Sequence, residues 1–101
     1  MKLLSAVALT VALAIAPGLA AAKDTKNCDL AGKLAETIMK QRQNGRDMAE
    51  MMTMAEEFAP LQGLWRALVI EAYGKPRFST HEYQERAAQD FKNTVYLACY
   101  K

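Results

Sequence analysis

The chain is poor in the groups that perform chemistry. Its 101 residues include one histidine, His81, and two cysteines, Cys28 and Cys99. Serine occurs twice, at Ser5 and Ser79. Ser79 and His81 stand two apart, and at the start of a helix such positions point in different directions, so they do not make a nucleophile and its base. Ser79 fits a helix cap and His81 an exposed first-turn residue. The acidic pairs Glu56-Glu57 and Glu82-Glu85 are ordinary helix-surface charges, favoured near a helix start by the dipole. One histidine and no spare thiol leave zinc without a ligand set. The reading is of a protein that is not an enzyme and carries no cofactor.

Three further absences narrow the class. No stretch alternates apolar and polar residues as a half-buried strand would, which points to an all-α fold. No run of five like charges exists, and basic residues are interleaved with acidic ones, the pattern of solvated helix faces rather than of a nucleic-acid surface. No apolar run is long enough to span a bilayer as a helix; the longest, Leu3 to Ala16, follows Lys2 and precedes Pro17-Gly18-Leu19-Ala20-Ala21-Ala22. That is the layout of a secretory signal peptide, with small residues suited to cleavage after Ala20 or Ala22. Residues 1–22 are therefore assigned as signal peptide and 23–101 as one domain, without membrane insertion after the signal is removed. Of thirteen basic residues only Lys2 falls in the leader, so the mature chain has a formal charge of +1 with eleven acids and His81 neutral. The expected location is periplasmic or secreted.

About eighty residues allow a modest core, and at that size burial leaves little margin over chain entropy, so a covalent staple is expected. Two cysteines in an oxidising compartment permit one intramolecular pairing, Cys28 with Cys99. Four helices are expected between these ends. Cys28-Asp29 opens the first, with Leu30, Ala31, Leu34, Ala35, Ile38 and Met39 on one side, and Asn44-Gly45 ends it. Asp47, with Glu50 three residues on, starts a short second helix that Pro60 stops. Pro60 also suits the first position of a third helix, Leu61 to Tyr73. This helix carries Leu64, Trp65 and Leu68 and is apolar nearly all round, so it is placed at the centre, or else shared with a partner. The last helix, Ser79 to Cys99, is the one the chain is organised around. Tyr83, Ala87, Phe91, Val95 and Cys99 recur on one face, Ser79 and Glu82 form a capping box, and Phe78 staples onto Tyr83.

Two features are candidates for binding. The cluster Met48, Met51, Met52 and Met54 consists of soft thioethers that could hold Cu(I), or fill gaps in the core, or line an adaptable groove. The groove reading takes Met51, Met54 and Phe58 as a partner-binding surface, with full docking of the short helix as its alternative. Tyr96 and Tyr100, one turn apart beside Gln89, Lys92 and Asn93, suit a protein-binding surface, or fold over the disulfide or the first helix.

The segment Ala72-Tyr73-Gly74-Lys75-Pro76-Arg77-Phe78-Ser79-Thr80-His81-Glu82-Tyr83-Gln84, with Phe91-Lys92-Asn93 and Tyr96-Leu97-Ala98-Cys99, resembles small exported helical proteins of proteobacteria and their phages, a group with no assigned function. The resemblance covers the C-terminal third, more weakly Cys28 to Gly45, and rests on turn, cap and packing residues. It implies the same all-α fold and adds no site. In size, compartment and single disulfide the chain is also similar to periplasmic acid-stress chaperones and immunity proteins, a likeness of architecture only. The expectation that follows is a small periplasmic protein that binds another protein as inhibitor, immunity factor or chaperone. The alternative is a Cu(I)-binding protein using the Met cluster.

Overall fold

The computed structural model describes residues 25–101; the signal peptide assigned to 1–22 lies outside the described residues. Four α-helices make up the described fold: α1 Thr25–Gln43, α2 Met48–Thr53, α3 Gln62–Tyr73 and α4 His81–Tyr100. A 3₁₀ segment, Met54–Phe58, continues α2. Among the described residues there is no strand.

Cys28 and Cys99 are bonded, with Cα atoms 5.6 Å apart, so the start of α1 is tied to the end of α4. Both side chains lie in the core, Cys28 with 0% exposure. The all-α fold with its terminal helices joined by one disulfide is as the sequence leads one to expect.

The centre is different from expectation. It is α1, not α3, that packs most extensively, against α4 on one face and against α3 on another. Side-chain size explains this. Ala31, Gly32 and Ala35 are all buried in α1 and let both neighbours approach closely. The axis that two helices share is the one whose side chains take least room. In α3, Leu64, Trp65, Leu68, Val69 and Ala72 are buried, but Ile70 is half exposed, so its apolar ring is not covered all round.

Local signals placed most boundaries within a residue or two. Asp47 caps α2, its carboxylate accepting from Glu50 N–H at 3.4 Å. Gly45 takes φ +85°, the left-handed turn that ends α1. Pro60 is not the first residue of α3: it follows Ala59 through a cis peptide bond, and the helix begins two residues later, after Leu61 with φ −91° and ψ 12°. Thr80 rather than Ser79 caps α4, its hydroxyl accepting from Tyr83 N–H at 3.3 Å. The capping box with Glu82 is thereby lost, because Glu82 falls one position short of the third helical residue. The buried face of α4 departs from the four-residue stripe for a different reason, since each such step drifts about 40° around the helix: Ala88, Phe91, Val95 and Cys99 are buried, Ala87 is only half-buried, and Tyr83 turns outward.

Candidate interaction surface

At the end of α1 stands a buried glutamine. Gln43 is 1% exposed and is the buried polar residue of the described core. Its amide reaches across to the α3–α4 loop, where Nε2 donates to Pro76 O at 2.9 Å and Oε1 accepts from Phe78 N–H at 2.8 Å. Nε2 also faces Met39 Sδ at 3.4 Å. The loop answers with Arg77, whose Nε donates to Gln43 O at 2.9 Å. Arg42 donates twice to Lys75 O, at 3.2 and 3.0 Å, and lies 5.2 Å from the centroid of the Tyr73 ring. Tyr73 completes the tie, its hydroxyl donating to Arg46 O at 2.6 Å. Burial pushes that phenol above its usual pKa, against the charge of Arg42. A loop with proline and no helix of its own is therefore held by side chains of the opposite turn. Lys75 O, Pro76 O and Phe78 N–H of its backbone are satisfied from there.

This hold fixes where Phe78 sits. The ring remains 39% exposed, and the first turn of α4 places Tyr83, itself 51% exposed, with its centroid 6.1 Å away. The pair does meet as a staple would, but in the open. Gln84 donates to Phe78 O at 2.8 Å, and Arg86 lies 5.6 Å from the Tyr83 centroid. Shallow hollows flank the pair. One of about 230 Å³ is lined by Lys75, Pro76, Phe78, Ala87, Phe91 and Thr94, among others, and one of about 370 Å³ by Arg77, Phe78, Ser79 and Gln84. A third, about 160 Å³, lies between the end of α1 and the start of α4, with Asn44 and His81 on its walls. His81 is paired loosely with Glu85 at 3.8 Å.

The sequence-predicted surfaces fare unevenly. Met51 has 0% exposure and belongs to the core, so it offers nothing to a partner. Its carbonyl accepts from Trp65 Nε1 at 2.7 Å, and Phe58 stacks on the same indole at 4.3 Å with rings 10° apart. These two contacts dock α2 and its 3₁₀ continuation on α3, with Met51 buried and Met54 and Phe58 left half-buried. Met52 is half-buried too, Met48 is more exposed, and Met54 Sδ accepts from the Arg46 guanidinium at 3.4 Å. A cation on that sulfur opposes a second cation there.

Tyr96 and Tyr100 divide between their two readings. Tyr96 folds over α1: its ring lies where a side chain on Gly32 would be, with Cε1 2.1 Å from the position of a Cβ. Its hydroxyl donates to Asp29 Oδ1 at 3.1 Å. Hydrogen bonds from Lys33 and then Tyr96 hold the Asp29 carboxyl below its usual pKa, while burial and then Asp29 push the Tyr96 hydroxyl up. Tyr100, 6.0 Å from Tyr96 by centroids, is 56% exposed. Between α1 and α4, Glu36 meets Lys92 at 3.4 Å, Lys40 at 3.5 Å and Gln89 at 2.8 Å. Burial alone would raise its pKa, but Lys92 and Lys40 outweigh this and hold it low.

Sequence reasoning placed Phe78 and Tyr83 in packing roles and did not see them as surface. The signal was present in the spacing: each four-residue step drifts about 40° around the helix, so over the four steps from Cys99 back to Tyr83 the stripe turns roughly 160° and leaves the buried side. No group of three or more His, Cys, Asp or Glu residues that could hold a metal occurs among the described residues. Compared with known protein families, curated proteins and solved structures, the chain matches none.

Proposed function

We propose that the protein is a small non-enzymatic binding protein of the periplasm or exterior, an inhibitor, immunity factor or chaperone that engages another protein. The observation that carries this reading is the Phe78–Tyr83 pair, two aromatic rings left open to solvent where the loop fixed by the buried Gln43 meets the first turn of α4. Rigid aromatic side chains beside guanidinium groups are the commonest anchors of protein interfaces, because they bring large contact area with little rotamer entropy to lose. Arg77 and Arg86 stand beside the rings, and the flanking hollows give a partner side chain somewhere to insert. The Cys28–Cys99 bond accords with an oxidising compartment. Among the described residues no helix is long and apolar enough to cross a membrane.

Affinity capture from a periplasmic extract tests the proposal when run with the parent and with Phe78→Ser/Tyr83→Ser side by side. Both residues are surface-exposed, so the variant should keep its helical circular dichroism and melting temperature. A partner retained by the parent and lost from the variant is the expected result. Identical retention by the two would reject this surface.

A further inference from the structure

Asn44 precedes Gly45, and no side chain on Gly45 shields the peptide between them. In an open chain this pair undergoes cyclisation. The Gly45 nitrogen loses its proton to base and attacks Asn44 Cγ; the new C–N bond closes a five-membered imide as the side-chain nitrogen leaves with protons as ammonia. Water then opens either C–N bond of the ring, giving aspartate or isoaspartate. No oxidant or other reactant is needed, and Asn44 is exposed to water.

The folded turn stands against each step. Gly45 N–H donates to Arg42 O at 3.0 Å, so the nitrogen that must ionise has its proton engaged. In the imide that nitrogen carries no hydrogen at all, so the Gly45–Arg42 bond cannot survive the intermediate. Asn44 N–H donates to Lys40 O and Arg46 N–H to Gln41 O, both at 3.0 Å, which fixes the backbone on either side. The loop reinforces the turn from outside: Arg77 donates to Gln43 O, Tyr73 to Arg46 O, and the Arg77 guanidinium lies 2.8 Å from where a Gly45 Cβ would be. Rearrangement into the imide requires the turn to open, and the turn is held by the loop that Gln43 pins.

We infer that Asn44 is a spontaneous modification site gated by this latch, protected while the α3–α4 loop is docked and converted to aspartate or isoaspartate when it lifts. Conversion is not neutral for the fold. Isoaspartate adds a methylene to the backbone at the turn that ends α1, so a converted turn cannot re-form the same set of bonds, and the loop carrying Phe78 loses its anchor.

The test follows the peptide that trypsin releases between Arg42 and Arg46. In the converted form it is heavier by the difference between a hydroxyl and an amino group, and its isoaspartate isomer separates chromatographically. The full chain is incubated at mildly alkaline pH, native and in guanidinium chloride, alongside Gln43→Ala and Arg77→Ala. In denaturant Asn44 should convert readily, and in the native parent at least roughly tenfold more slowly, since reaction is then confined to the open fraction. Whichever latch variant retains its helical signal at the incubation temperature should convert several-fold faster than the parent. Equal rates in native and denatured parent, no conversion in denaturant, or folded latch variants that convert at the parent rate would each overturn the inference.

Discussion

Replacing Gln43 with alanine should cost more than any change of a polar residue on the surface. The side chain is almost fully buried and makes two hydrogen bonds of good length across 33 and 35 positions of sequence. Each such bond contributes about 1 kcal/mol net, so the pair accounts for about 2 kcal/mol. The lost methylene adds about 0.8 kcal/mol of burial. The sum, about 3 kcal/mol, is a large share of the roughly 4–12 kcal/mol that a domain of this size has in total. It corresponds to a fall in melting temperature of about 12–24 °C. Far-ultraviolet circular dichroism melts read it directly, and Trp65, buried on α3, gives an independent fluorescence probe. A loss under about 0.5 kcal/mol, the scale of a neutral surface change, would refute the claim that this residue holds the loop.

Gln43→Glu sharpens the test because it preserves shape and alters only one group. A carboxylate there still accepts from Phe78 N–H, but its other oxygen faces Pro76 O, and burial disfavours the charge. Its pKa in the folded state is thus raised above the unfolded value of about 4.3. The sign follows: the protonated acid can donate to Pro76 O, so the variant is close to the parent below pH ~4 and loses stability as pH rises through the raised folded pKa. Parent and variant are compared at each pH. A stability gap that stays constant with pH would show that the carbonyl at Pro76 is not what this side chain meets.

Gly32→Ala should destabilise by about 1–3 kcal/mol through overpacking, because the added methyl falls within the Tyr96 ring. Combined with Tyr96→Ala the penalty should largely vanish, and additive losses in a thermal double-mutant cycle would exclude the clash. Cys28→Ser or Cys99→Ser should lower stability by about 4 kcal/mol, the loop entropy for a separation of 71 residues. Urea titration of parent and variant checks this, and matching midpoints would mean the bond contributes nothing.

Helix content, the disulfide and most helix ends were legible because each depends on residues near in sequence or on composition. Asp47 capped its helix and Gly45 ended one, since these roles need only a side-chain oxygen or a missing Cβ. The choice between Ser79 and Thr80 was not legible locally, as both can cap; the bonds to Phe78 from Gln43 and Gln84 belong to the register found. Which helix lies at the centre was misjudged by weighing the apolar width of α3 above the small side chains of α1. Nothing near Gln43 in sequence marks it as buried, because its partners, Pro76 and Phe78, lie more than thirty residues away. Phe78 takes its place from that distant hold, so its pairing with Tyr83 could emerge only once the loop had a position.

A mechanical load applied between the ends of the described chain would bypass nearly all of it. Cys28 and Cys99 are joined covalently across 71 positions, so tension entering at α1 passes straight to α4 and the intervening chain, about 250 Å if drawn out at ~3.5 Å per residue, stays slack. Tethered at both ends between two bodies, the protein would act as a short inextensible link whose helices feel little of the force. Only breaking the sulfur–sulfur bond would put α2, α3 and the pinned loop in series with the load and let the link lengthen.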